Sequence, residues 1–233
     1  MNNSSNFDRA VDERLADVRN KRGHVMPHHQ VMAVLLPELL DSYERVYATI
    51  DFTQGRLSSV EKGFVWMVVV AAGEIPIGGS HVRDFRKVGG SATQVEAAAI
   101  LGSIAIGSRT LETIGPGWDN VIPELNLDAA YRRSLEGIAG PAQISPELVE
   151  MAMAAAHACR RSWGRVRAHI KAAYAVGVKE TALAEALTIT MLPTGTPTFV
   201  QACKVWLDLI KTGEVSASPA LQRVAKTVGK TSL

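Results

Sequence analysis

The sequence predicts an all-α protein, and three observations carry the prediction. Nearly every periodic stretch recurs with helical spacing, and no alternating strand pattern competes with it. Apolar residues make up 47% of the chain while aromatic residues make up only 6%, with much of the apolar share in alanine. That composition suits closely packed helices better than sandwiches or barrels. The third observation is a repeat. His81, Gly89 and Gly107 recur at one constant offset as His169, Gly177 and Gly195. Around them HVRDFRKVGGSATQVEAAAILGSIAIGSRTLETI answers HIKAAYAVGVKETALAEALTITMLPTGTPTFVQA, and upstream PELLDSYERVY answers PELNLDAAYRRSL. A unit of just under ninety residues, present twice, predicts two similar helical folds with a histidine in equivalent places.

Taken in order, residues near 7–20 are highly charged and predict a polar outer helix or arm. Pro27 interrupts the next stretch, and His29 to Tyr47 reads as helices meeting at Pro37. Ser58 and Glu61 form a capping box that opens an apolar helix over 60–72. The segment Gly73 to Gly79 breaks it, since Pro76 and its glycines cannot continue a helix. A histidine helix then runs from near Ser80 to the glycine cap at Gly89 and Gly90. Ser91 and Gln94 form a second capping box, for a helix expected to end near Ile106.

The second half repeats this plan. Ser145 and Pro146 are its N-cap and first helical residue, Ser162 to Gly164 the break, 165–176 the histidine helix and 180–192 the third helix. The organisation expected is an N-terminal arm (1–36), a first unit (37–114), a linker (115–122), a second unit (123–212) and a C-terminal tail (213–233). The linker is placed on the two prolines and two glycines of the stretch 115–126.

Composition narrows the function classes. The formal charge is +2 and no Lys/Arg run with interleaved aromatics occurs, so a nucleic-acid partner is not expected. The longest apolar run, 64–72, is about half a membrane span, and the N-terminus has no apolar core after a basic segment. A cytoplasmic protein with no membrane partner is the expectation. Cys159 and Cys203 lie far apart and outside any Cys-x-x-Cys, which reads as two free thiols. No glycine belongs to a phosphate loop.

The unit of apolar helix, break, histidine helix and acid-bearing third helix resembles the carboxymuconolactone decarboxylase and alkylhydroperoxidase-D-like family. AAYAVGVKETALAEALTIT followed by GTPTFVQACKVW is especially similar to it. The resemblance covers about 37–112 and 123–210. It implies two tandem alkylhydroperoxidase-D-like units packed as a pseudo-dimer. A family assembly of six units would make this chain a homotrimer. Peroxidase-type members of the family carry Cys-x-x-Cys seven and four residues ahead of the histidine. Here those positions hold Glu74 and Ile77 in the first copy, and Ser162 and Arg165 in the second. Dithiol chemistry needs both an attacking and a resolving sulfur, so the resemblance points to the decarboxylase branch, which needs no cofactor.

Several residues are candidates for that chemistry. His81, at the start of a helix, would be kept neutral by the positive helix end. Glu74, among glycines and isoleucines, would have its pKa raised and act as a general acid. Arg83 would bind a substrate carboxylate. In the second copy Arg165 and His169 share a helix face and would clamp an anion beside a proton donor, with Trp163 as a pocket wall. Glu150, His157 and Arg161 share another face, read either as part of that pocket or as structural ion partners. The cluster His24, His28, His29 invites a metal, but no Cys, Asp or Glu sits beside it at ligand spacing, so none is expected. His28 would instead line a site.

The combined expectation is a cofactor-independent lyase of the decarboxylase type, acting on a small carboxylated lactone or oxo acid. Histidine and Glu74 would move the proton and arginine would anchor the carboxylate. The first copy is favoured, for its glycine-flanked acid. The alternatives are an alkylhydroperoxidase-like antioxidant protein and a non-catalytic binding or assembly protein of the same fold.

Overall fold

The computed structural model describes residues 2–53, 55–76, 79–122 and 124–227. All regular structure among them is helical. The chain divides into two compact units, residues 1–53 and 54–233.

The first unit holds α1 (Asn2–Arg22), α2 (Pro27–Leu35) and α3 (Pro37–Asp51). Prolines open α2 and α3, where a missing N–H costs nothing. Val18, Ala33 and Leu40 form its small core, with Val11, Leu15, Val25 and Met32 against it. Beside that core the Arg22 guanidinium pairs with Glu44 at 2.8 Å and lies 3.4 Å above the Tyr47 ring. The histidine cluster belongs here. His29 is buried and its Nδ1 accepts from the Met26 N–H at 3.0 Å, which spends that nitrogen as a cap for α2. His28 is exposed, with its ring 4.0 Å from that of His29.

The second unit is built on α4 (Ser59–Ala72) and α8 (Pro146–Cys159), which pack on each other. Around them lie α5 (Gly79–Lys87), α6 (Ala92–Asp119), α7 (Leu127–Ala139), α9 (Trp163–Ala175) and α10 (Glu180–Thr188). The short α11 (Met191–Thr194), then α12 (Thr196–Lys211) and α13 (Pro219–Ala225), complete it. Every residue of α8 from Leu148 to Ala158 is buried, and five of them are alanines that allow helices to approach from all sides. The capping boxes of Ser58 with Glu61 and Ser91 with Gln94 form as the spacing predicts. Ser145 accepts from the Leu148 N–H, with Pro146 as the first helical residue.

Helix boundaries recur with the sequence repeat. The ends of α3 and α7, the ends of α5 and α9, and the starts of α6 and α10 each lie 88 residues apart. So do the left-handed caps Gly89 (φ 99°) and Gly177 (φ 84°). The main departure lies between the copies. The expected linker at 115–122 is mostly helix, because α6 continues past Ile106 for a total of 28 residues. Pro116 cannot donate one turn back, yet the helix continues through it to Asp119. Among the described residues no helix is long and apolar enough to cross a membrane.

Candidate functional site

The two copies differ most where the histidines lie. In the first, His81 stacks on Trp66 of α4, ring centroids 4.4 Å apart and planes 16° from parallel. Glu74 adopts φ 54° in the turn that ends α4, where the Ile75 N–H reaches the Val70 carbonyl. Its carboxylate is 63% exposed and pairs with Arg160 at 2.8 Å. The expected buried acid beside His81 is therefore corrected. Glu74 is largely exposed and ion-paired, and with Ile75 and Pro76 it lines a cleft of about 270 Å³. The equivalent turn after α8 holds Arg161 at φ 56°, so this backbone geometry belongs to the helix joint in both copies. Arg161 is exposed and does not share the pocket face of Glu150 and His157. Arg83 is exposed on α5. Ile77 lies outside the described residues.

In the second copy a buried polar chain runs through α7, α8 and α9. Arg132 on α7 donates to Glu150 Oε1 at 2.5 Å. Glu150 Oε2 lies 2.6 Å from His169 Nδ1, and His169 Nε2 lies 2.8 Å from the Tyr131 hydroxyl. The same hydroxyl lies 2.7 Å from His157 Nε2. Both imidazoles are fully buried, with rings stacked 5.2 Å apart. The other nitrogen of His157, Nδ1, has no hydrogen-bond partner.

The electrostatics fix the protons in this chain. Burial opposes charge on Glu150, but bonds from His169 and Arg132 outweigh it and hold its pKa below the usual carboxylate value. Burial outweighs Glu150's pull on His169 and lowers the imidazole's pKa. Burial, then the neighbouring His169, Arg165 and Arg132, push His157 down to about 2. Burial raises the Tyr131 phenol. At neutral pH the carboxylate is charged and the other three groups are neutral. His169 then donates through Nδ1 to Glu150 and accepts the Tyr131 proton at Nε2. Tyr131 in turn accepts from Nε2–H of His157, which leaves His157 Nδ1 a bare lone pair. The result is a directional proton path.

Arg165 joins this path to the outside. Its guanidinium lies 4.4 Å above the Tyr131 ring and pairs with Asp128 at 2.8 Å. It also lines a cleft of about 520 Å³ between α6, the start of α7 and α9, along with Glu112, Asn126, Asp128 and Gly164. Arg165 and His169 share the buried face of α9, as their spacing predicts. Trp163 opens that helix, half-buried, and does not line this cleft.

Tyr131 and Arg132 are the residues that sequence reasoning missed, and it gave His157 no chemical role. A signal for the polar chain existed in the broken symmetry of the repeat. Counting back 88 residues, Glu150 becomes Lys62, His157 becomes Val69 and Arg132 becomes Glu44, while Tyr131 keeps a tyrosine at Tyr43. Lys62 instead pairs with Glu185 at 2.8 Å. The first copy thus holds an amine where the second holds the acid that orients the histidine.

The sequence model of the carboxymuconolactone decarboxylase family matches residues 126–208. This stretch contains the whole polar chain, and over it the protein is similar to that family. Comparison with curated proteins and with solved structures gives no match.

Proposed function

We propose that the protein is a cofactor-independent acid–base enzyme of the lyase type, working at the second copy on a small carboxylated lactone or oxo acid. The observation that carries the proposal is the buried chain Glu150, His169, Tyr131, His157, with Arg165 between it and the cleft. Loss of CO2 from such an acid is easy when the carbanion delocalises as an enolate, which then needs a proton. The Tyr131 hydroxyl gives that proton once Arg165 moves off its ring; the phenolate left behind accepts from His157 Nε2–H until a proton from solvent in the cleft restores it. Glu150 holds the His169 tautomer, so that Nε2 faces the Tyr131 hydroxyl, as a buried carboxylate orients histidine in hydrolases. Arg165 binds the carboxylate and orients the substrate. Tandem units packed as a pseudo-dimer are part of this reading, supported by the recurring helix boundaries and by the packing of α4 on α8.

The thiol alternative finds no support at either cysteine. Burial pushes Cys159 up to about 12 and also raises Cys203, so neither is a ready thiolate.

The test is CO2 release and deuterium incorporation in D2O from a panel of 3-oxo acids and carboxylated lactones. His169→Gln and Tyr131→Phe should each lower kcat by on the order of 10²–10⁴ in folded protein. His81→Gln should stay within about threefold of wild type, since its copy lacks the orienting acid. Near-wild-type turnover in both of the first two variants would overturn the mechanism, and an inactive wild type would reject the substrate class.

A further inference from the structure

The Arg165 ion pair is markedly unequal. The arginine side chain is only 8% exposed, whereas Asp128 is 83% exposed in the first turn of α7. A nearly hydrated carboxylate thus holds a desolvated guanidinium in place over the Tyr131 ring. On the other side Glu112 Oε1 comes within 3.4 Å of Arg165 Nε, yet that nitrogen is buried and makes no hydrogen bond. A guanidinium carries five N–H groups in a planar fork that suits a bidentate carboxylate. Here one carboxylate reaches the fork from outside, and a donor on its inner edge is left unused.

Two carboxylates around one guanidinium give this group of three a surplus negative charge. An anion entering the cleft therefore meets repulsion until one carboxylate leaves. Asp128 is the one that leaves at least cost. It regains little hydration because it has lost little, and the exchange replaces one carboxylate–guanidinium bond with another. Glu112 is less exposed, at 35%, and makes no hydrogen bond to be exchanged.

We infer that Asp128 is a displaceable internal counter-ion, occupying on Arg165 the place of the ligand's carboxylate and keeping Tyr131 covered until that ligand arrives. Asp128 is then a positioning residue that acts through Arg165 and sets selectivity for acids. A carboxylate displaces it, while an uncharged analogue cannot. This inference rests on the reading of the cleft as the substrate cleft.

The test is calorimetric titration with succinate, and with uncharged succinamide as control, at fixed ionic strength and pH 7. Asp128→Asn should bind succinate roughly three- to tenfold more tightly than wild type, the range expected when one competing partner of a half-exposed pair is removed. Succinamide should bind neither protein. Adding Arg165→Gln should abolish the gain, and Glu112→Gln alone should change affinity by less than about twofold. A gain in affinity is a readout that mere structural damage would not produce. Asp128→Ser provides a second variant should Asp128→Asn fold poorly. Unchanged affinity in folded Asp128 variants, or an equal gain from Glu112→Gln, overturns the inference. The first shows no competition and the second only a general charge effect. Because binding is read without turnover, tighter succinate binding without any lyase activity would reject the proposed function and keep the role of Asp128. Turnover whose KM ignores Asp128→Asn would do the reverse.

Discussion

Acid acts on the fold through His157. Its ring is fully buried and neutral, and its pKa is pushed down to about 2 by burial and by nearby cations. In the unfolded chain the same imidazole takes its proton at its ordinary 6.5. Below pH 6.5 the unfolded state therefore binds more protons than the folded state, so stability falls as pH falls, down to the folded value. At pH 5 this one group should cost about 2 kcal/mol relative to pH 7, 1.5 pH units below 6.5 at 1.36 kcal/mol each. His169 and His29, also lowered, act with the same sign. His157→Gln should lose stability at pH 7 through its broken bond to Tyr131, yet show a smaller drop between pH 7 and pH 5. Urea unfolding at the two pH values measures both, and an undiminished drop would show that His157 does not carry this term. The thiols belong to the same scale. Replacing Cys159 and Cys203 together by serine should leave turnover essentially intact, and loss of activity in the folded double variant would revive dithiol chemistry.

At the level of elements, α6 crosses α4 closely at Gly102. A Cβ at Gly102 would lie 2.5 Å from that of Ala71 and 2.9 Å from the Ala72 nitrogen, so the helices touch where no side chain fits. Gly102→Ala gains helix propensity but forces the backbones apart. We expect a net loss of about 1–3 kcal/mol, seen as a lower thermal midpoint. An unchanged or raised midpoint would mean that α6 can slide without cost. This joint also marks how far the sequence could be read. Helix starts were legible because Ser58, Ser91 and Ser145 satisfy orphan N–H groups by local chemistry alone. The extension of α6 was not legible, because Gly115, Pro116 and Gly117 carry local signals for a break that the continuing helix overrides. The pairing of His169 with Arg165 on one face followed from spacing within a single helix. Tyr131 could not be found that way, since it meets the histidines only once α7 packs against α8.

For the whole molecule, the question is what covers the apolar surface of the second unit. Trp118 is 54% exposed, Val121 79% and Ile122 44%, together at the end of α6. Single exposed apolar residues need no explanation, but three neighbours at one helix end suit an interface. If two units per chain complete the six-unit assembly implied by the family resemblance, the protein is a homotrimer of about 75 kDa, three times the 25.0 kDa chain. Light scattering should give that mass at micromolar concentration. Val121→Glu should lower it, because a charge buried in a subunit contact without a partner costs several kcal/mol. The substitution should leave circular dichroism unchanged, since Val121 lies on the surface of the chain. A wild type that is a monodisperse monomer would reject the trimer. A trimer indifferent to Val121→Glu would place its contacts elsewhere and leave this helix end to solvent. Activity that survives dissociation would show that the polar chain and its cleft, all drawn from one chain, need no neighbour to complete them.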